Sequence, residues 1–350
     1  MEVLKQVLGV DVAQKELVVS FGVMYEDFGI AICGHKVFKN NPKGMENLMI
    51  WTEKLALKDK PLLYVMEATG VYHEVFAYFL SNKGQKLSVV MPNKISNYMR
   101  TLDVKTITDK SCSEAIARFG LERKLTEWKQ PNKIYKRLKQ LTRERDQIVE
   151  ARAVVKNQLH AEQKEAIPVQ STIKRCEKHI IFLNKQEAQI IKEIEEVKDQ
   201  EIKDKINKIT TIPGVGVLTA TIILAETNGF ELIKNKKQLT SYAGLDVKEK
   251  QSGTSVKGKP KISKKGNRSI RRAMHFPALS AIRHDEHYKE IYANLVSKSG
   301  IKMKGVVAVQ RKLLELIFVI YKNDTVYDIE YEKKKRERYK NEHSLLQTSS

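Results

Sequence analysis

Val7-Leu8-Gly9-Val10-Asp11 and Leu62-Leu63-Tyr64-Val65-Met66-Glu67 decide the fold class, because each is a short β-rich run that ends on a carboxylate. Such runs read as strands. Leu87-Ser88-Val89-Val90-Met91 is a third, and the pattern from Tyr72 to Leu80 predicts a helix between the second and third. Thr108 has the chemistry of an N-cap for a later helix from Asp109 to Phe119. Strands alternating with helices predict an α/β domain over residues 1–125, built on one central sheet.

Asp11 and Glu67 lie at or just beyond the ends of predicted strands, where open α/β sheets present ligands. Asp109 adds a third oxygen donor. Taken singly, each carboxylate reads as a solvated or salt-bridged residue. As an ordered set they predict a Mg²⁺ site of the ribonuclease H-like kind, in which hard oxygens hold the ion at reacting oxygens of a phosphodiester.

From Ile134 to Leu159 the apolar positions keep a 4,3 rhythm, with Arg145 and Arg152 interrupting the seam. After a break at Ala166-Ile167-Pro168 the rhythm resumes from Ile173 to Val197, with polar Glu187 in one seam slot and Cys176 as a small apolar filler. Two long helices forming a coiled-coil hairpin or oligomerisation stalk are predicted over residues 126–206. A C-terminal, mostly helical domain follows over 207–321, and a charged, partly disordered tail over 322–350. The C-terminal domain opens with Ile212-Pro213-Gly214-Val215-Gly216 before an apolar helix from Leu218 to Glu226. In that helix-hairpin-helix-like element the backbone N–H groups at Gly214 and Gly216 can meet a phosphate. Further helices are predicted at Lys237 to Gly244, Ile270 to Arg283 and Val306 to Tyr321.

Between those helices, Lys248 to Arg272 carries ten basic residues and one acid around Gln251-Ser252-Gly253-Thr254-Ser255. Lys257, Lys259, Lys261, Lys264, Lys265, Arg268, Arg271 and Arg272 are candidate phosphate contacts, with Arg283 beyond them. The segment reads either as a loop that only holds nucleic acid or as an electropositive socket around a nucleophilic hydroxyl. No His lies within it to serve as base. His275, His284 and His287 lack the acidic or cysteine partners of a zinc site and read as packing or surface residues. Tyr242 fits either a base-stacking role or, on a helix face, the core.

A formal charge of +21 over 350 residues, with 30% charged and 7% aromatic residues, points to a polyanionic partner held through its backbone. At 41% hydrophobic residues the chain can build real cores. No run of about 18 apolar residues predicts a membrane span, and Met1 opens no signal-peptide pattern, so a cytoplasmic, nucleoid-associated location without membrane contact is expected. Cys33, Cys112 and Cys176 form no CxxC pair and support neither a disulfide framework nor a zinc ribbon.

The order LGVDVAQKEL, MEATGVYHE, TDKSCSEAIARFG, IPGVGVLTA, SYAGLDVKEKQSG and ISKKGNRSIRRAM resembles the one-ten family of insertion-sequence transposases, relatives of Piv-type DNA invertases. The resemblance implies a RuvC-like domain with an Asp-Glu-Asp-Asp set, a coiled-coil insertion and a C-terminal transposase domain with a nucleophilic serine. By position it places Asp11, Glu67 and Asp109 on the first three acids and Ser252 on the serine, with Ser255 as the rival. The fourth acid is absent. Where the family reads Thr-Asp-Lys-x-Asp-Ala, this chain has Cys112-Ser113, a soft thiol in place of a carboxylate, and Asp103 and Glu114 are poorly placed to replace it.

The resemblance implies a DNA recombinase that forms a covalent 5′-phosphoserine with Mg²⁺ at the acids, acts on element ends and target DNA, and is guided by an element-encoded bridge RNA. Synapsis of two DNA segments implies a homodimer or homotetramer. Two other readings stay open: a metal-only nuclease or junction resolvase, and a non-catalytic nucleic-acid-binding protein.

Overall fold

The computed structural model describes residues 2–68, 70–102, 106–231, 233–249, 251–252, 256–258, 261–328 and 330–331, with 251–252 and 256–257 described by backbone alone. The chain divides into two compact units, residues 1–130 and 131–350.

The first unit runs β1 (Val3–Val12), β2 (Glu16–Tyr25), β3 (Ile30–Lys39), α1 (Pro42–Leu55), β4 (Leu62–Glu67), α2 (Tyr72–Asn82), β5 (Lys86–Val90), α3 (Pro92–Met99) and α4 (Asp109–Glu122). Its sheet has the order β3-β2-β1-β4-β5. β1, β2 and β3 are antiparallel neighbours, whereas β4 runs parallel to β1 and β5 parallel to β4. This mixed sheet fits a ribonuclease H-like N-terminal fold. The three predicted strands are present, and β2 and β3 extend the sheet beyond them. A tight turn in which Ala13 N donates to Glu16 O at 2.9 Å folds β2 back on β1.

Side-chain alternation sorts the central strands onto two faces. Leu8, Val10, Val12, Tyr64 and Met66 pack with Phe21, Met45 and Phe76 on one face. Val7 and Val65 pack with Ile95, Ile116 and Leu121 on the other, which α3 and α4 cover. Asp11 and Glu67, two positions along from Gly9 and Val65, follow the α4 face. Gly9 is what lets α4 come so close: a Cβ there would stand 2.3 Å from Ser113 O and Ala117 N.

The second unit begins with α5 (Lys133–Lys164) and α6 (Gln170–Glu195), the predicted long helices, with the break at 165–169. Ile148 and Val155 of α5 share one apolar cluster with Leu183, Ile190 and Ile194 of α6, and Cys176 packs against it. The polar seam positions answer one another. Buried Glu187 accepts from Arg145 Nε at 2.9 Å and also from Arg152 Nη1. The same cluster continues into the helices that follow, so hairpin and C-terminal helices share a core.

Those helices are α7 (Gln200–Thr210), α8 (Val217–Thr227) and α9 (Lys236–Tyr242). Next come four two-residue strands, β6 (Val247–Lys248), β7 (Gln251–Ser252), β8 (Val256–Lys257) and β9 (Lys261–Ile262). α10 (Arg268–Ala273), α11 (His275–His284), α12 (Glu286–Ser299) and α13 (Lys302–Asn323) complete the unit. The helix predicted from Ile270 to Arg283 is instead two, interrupted at Met274. The Pro277 ring has no N–H for the Ala273 carbonyl four residues back and crowds it. α7 and α12 were not foreseen. The predicted tail lies outside the described residues beyond Tyr331.

Candidate active site and nucleic-acid interface

In the parallel register of β1 and β4, Gly9 faces Val65 and Val10 faces Met66, so Asp11 and Glu67 stand one step further on, at the carboxyl ends of adjacent central strands. α4 brings the third acid. Its start is fixed by a capping box in which Ser111 N donates to Thr108 Oγ1 at 3.1 Å and Thr108 N to Ser111 Oγ at 2.8 Å, with Asp109 as the first helical residue. Its far end is held by the Lys5 ammonium on the Gly120, Leu121 and Arg123 carbonyls. Midway, Ser113 Oγ meets Ser20 Oγ at 2.8 Å in the interior.

The three acids act on one another electrostatically. Burial, then the charges of Asp109 and Glu67, push the Asp11 carboxyl up to about 6, against a weaker opposing hydrogen bond from the Val12 backbone. Cys112, one turn along α4 from Asp109, belongs to the same cluster: burial and then Asp11, Glu67 and Asp109 raise its thiol above the ordinary value. It is a protonated thiol among carboxylates. Glu114 faces elsewhere and pairs with Lys110 at 4.0 Å, and Asp103 lies outside the described residues.

The donor set suits a hard divalent cation, since Asp11 and Glu67 at adjacent strand ends and Asp109 at the start of α4 are all carboxylates, and a positive ion would relieve the repulsion that raises Asp11. Among the described residues no three acidic, imidazole or thiol groups converge closely enough as they stand to enclose a metal ion. Asp11, Glu67 and Asp109 are thus an open cluster.

Ser252 sits in the second unit on an arm between α9 and α10. Two nested antiparallel ladders form that arm, Val247–Lys248 with Lys261–Ile262 and, further out, Gln251–Ser252 with Val256–Lys257. Ser255 and Lys259 lie outside the described residues, as do the side chains of Ser252 and Lys257. The base of the arm is tied at several points. Ser263 N donates to Asp246 O at 2.9 Å, Lys264 N to Gly244 O at 3.1 Å and Asn267 N to Tyr242 O at 2.7 Å. Arg271 Nη1 serves three carbonyls, Ala243 at 2.7 Å, Gly266 at 3.0 Å and Asn267 at 3.3 Å. Expected as a phosphate contact, Arg271 has one guanidinium nitrogen engaged in holding the fold.

Beneath this base lies Glu226, which sequence reasoning passed over as the end of an apolar helix. Its side chain has no exposed surface. Arg143 grips it with Nε to Oε1 at 2.7 Å and Nη2 to Oε2 at 3.0 Å, Asn267 Nδ2 adds 2.7 Å, and Lys139 Nζ stands at 3.7 Å. Burial pushes its pKa up, but the Arg143 and Asn267 hydrogen bonds with the Lys139 and Arg143 charges outweigh burial and hold it below the ordinary value. The Tyr242 hydroxyl donates to Glu226 O at 2.9 Å, so the tyrosine braces the arm with its ring half exposed. A lone acid in an otherwise apolar helix was the available signal.

Lys261, Lys264, Lys265 and Arg268 are exposed along the arm and the start of α10. Arg272 pairs with Glu150 at 2.6 Å and Asp146 at 3.9 Å, and Arg268 with Glu150 at 3.5 Å. His275 Nδ1 stands 3.3 Å from Gln310 Nε2, a packing role as expected. Between α7 and α8, Gly214 adopts φ +84°, open to glycine above all, and a Cβ there would stand 2.9 Å from Pro277 O. Gly216 is the N-cap of α8, and beyond its chain neighbours no described residue comes within 4 Å of where its Cβ would be.

Residues 206–293 match the family model described as Transposase IS116/IS110/IS902 family, and residues 8–168 match a transposase model of the DEDD, IS110 type. The chain belongs to the IS110 family of transposases. Within that family assignment, the chain is 25% identical over 302 residues to the pilin gene-inverting protein of Moraxella bovis, covering 83% of this chain and 89% of that protein. The Moraxella lacunata counterpart is also 25% identical over 302 residues. A 43.6 kDa protein of insertion element IS110 from Streptomyces coelicolor is 28% identical over 120 residues, 34% of this chain and 29% of that protein. Among solved structures, Thermus thermophilus RuvC in complex with a Holliday junction substrate overlaps at a TM-score of 0.28 and 10% identity, covering 35% of this chain and 99% of that one. No described helix is long and apolar enough to cross a membrane.

Proposed function

We propose that this transposase-family enzyme of DNA recombination cuts and rejoins DNA through a covalent 5′-phosphoserine on Ser252, with Asp11, Glu67 and Asp109 holding Mg²⁺. The observation that supports the metal half is the placement of Asp11 and Glu67 at the carboxyl ends of adjacent parallel strands, with Asp109 as the first residue of α4. The serine half rests on family resemblance and on the basic arm that carries Ser252. A cation held by the three acids would neutralise charge on the attacking and leaving oxygens. Ser252 Oγ forms a bond to phosphorus as the bond to the 3′ oxygen breaks, and a strand bearing a free 3′-hydroxyl reverses the step on a new partner. Lys261, Lys264 and Lys265 stabilise charge on the non-bridging oxygens, and the N–H groups at Gly214 and Gly216 take a further phosphate. A bridge RNA encoded by the element selects the DNA, and a homodimer or homotetramer brings two segments together.

The test is a denaturing gel of purified protein with Mg²⁺, element-end DNA and RNA transcribed from the element flank, comparing wild type with Ser252→Ala. A slow-migrating adduct in wild type alone supports the serine mechanism. Cleavage without an adduct transfers the chemistry to the acids, as in a metal-only nuclease or junction resolvase. Binding with neither product leaves a non-catalytic nucleic-acid-binding protein.

A further inference from the structure

We infer that the face shared by α10 and α11 is a subsite for an unpaired nucleotide, with its base stacked on Phe276 and its phosphate taken by Arg268 and Arg272. This rests on the nucleic-acid-binding part of the proposed function and goes beyond it in naming the strand form. The site is a shallow, open depression of about 360 Å³ lined by Arg268, Arg271, Arg272, His275 and Phe276, with Glu150 and Asp146 of α5 paired to two of its arginines.

Phe276 is 77% exposed although Met274, Pro277 and Ala278 beside it are buried. A single exposed apolar side chain is ordinary; one set among three arginines is not. The ring is also positioned in advance. It stands at the start of α11, followed by the fixed φ of Pro277, and the His275 ring meets it edge-on with centroids 5.6 Å apart. His275 is in turn placed by Gln310 of α13.

The cations are oriented as well. Glu150 and Asp146 of α5 take one side of Arg272, and Glu150 also stands near Arg268, while a guanidinium keeps further donors in its fork for a phosphate. Arg271, tied to three carbonyls, is a fixed positive wall. In a duplex both faces of each base are covered by neighbours, so lysines and arginines alone suffice to hold it. An exposed aromatic face beside guanidinium planes is of use only to a base whose own face is free.

Full-length protein is titrated into fluorescein-labelled oligonucleotides of about 12 residues, as single-stranded DNA, single-stranded RNA of the same sequence, and duplex DNA, read by anisotropy. Phe276→Ala is expected to weaken single-strand binding about ten-fold and duplex binding by less than about two-fold, with Phe276→Trp restoring affinity and its indole fluorescence quenched on binding. Arg272→Gln is expected to weaken all three and lower the salt dependence by about one phosphate contact. Loss on DNA alone or RNA alone identifies which strand occupies the subsite, and either supports the inference. Equal losses on single strand and duplex overturn it. An unchanged affinity accompanied by a changed sedimentation coefficient also overturns it, because the face would then be covered by a second copy of the chain. Failure of wild type to bind any nucleic acid would instead sink the underlying functional reading.

Discussion

Asn267 Nδ2 lies 2.7 Å from Glu226 Oε2, which ties the N-cap of α10 to a carboxylate that has no exposed side-chain surface. The other ligands of that carboxylate, Arg143 and Lys139, come from α5. One buried charge therefore joins the long helix to the base of the arm that carries Ser252.

Glu226→Ala leaves half-exposed Arg143 and a deprived Asn267 around a small void. The expected cost is about 2–3 kcal/mol, less than for a fully buried pair because Arg143 regains water. Urea unfolding with an unchanged m-value checks it. An Asn267→Ala protein, which loses both the cap and this contact, is expected to lose about 1–2 kcal/mol.

The same carboxylate predicts acid lability. Its folded pKa lies below the ordinary value of 4.5, so its stabilising contribution is present above that value and is lost as pH falls through the folded pKa. Tm measured from pH 6 down to pH 3 is expected to fall more steeply for wild type than for Glu226→Gln. Parallel profiles would contradict this.

Buried Glu187 and partly buried Arg145 and Arg152 make an ionic triad in the α5–α6 seam. Glu187→Leu alone strands two guanidiniums and is expected to destabilise by about 2–3 kcal/mol. Replacing all three with leucine restores a continuous apolar seam and is expected to be neutral or stabilising, at the cost of a fixed register. Chemical denaturation checks this: a loss in the single variant and none in the triple one is expected.

Asp11→Asn removes a half-buried carboxylate that is raised by the charges of Asp109 and Glu67. The metal-free protein is expected to gain about 1 kcal/mol at neutral pH and to lose the rise in Tm that Mg²⁺ confers on wild type. DNA recombination is expected to vanish in Asp11→Ala and Asp109→Ala and to survive in Cys112→Ala, since a thiol raised by burial and three acids is no ligand for a hard cation. A correctly folded but inactive Cys112→Ala would remove that reading.

Gly9→Ala is expected to destabilise the first unit by about 3 kcal/mol or more, because the new methyl meets α4 backbone that cannot yield without moving Asp109 and Cys112 off the strand ends. Circular dichroism melting together with the Mg²⁺ shift in Tm tests it; both are expected to fall together.

The parts legible in sequence are those set by local chemistry. Thr108 as a cap, the apolar runs of β1, β4 and β5, the seam of α5 and α6, and the carboxylates at strand ends all follow from periodicity or from one side chain beside its own backbone. β2 and β3 were passed over, and the split of the helix at Met274 required weighing one proline against an otherwise unbroken helical pattern. Arg145, Arg152 and Glu187 were visible as defects in two seams, yet only antiparallel packing of the hairpin showed that the defects match.

By itself the sequence determined part of the element list, the candidate acids and the basic segment around Ser252, because propensity, capping and hydrophobic spacing act over a few residues. Tertiary structure decided which groups share a field. The parallel register and the Gly9 approach put Asp11, Glu67, Asp109 and Cys112 together, and Glu226 was drawn under the arm by partners from α5 and α10. Electrostatic coupling depends on distance and burial, and neither quantity is defined until chain segments distant in sequence have packed.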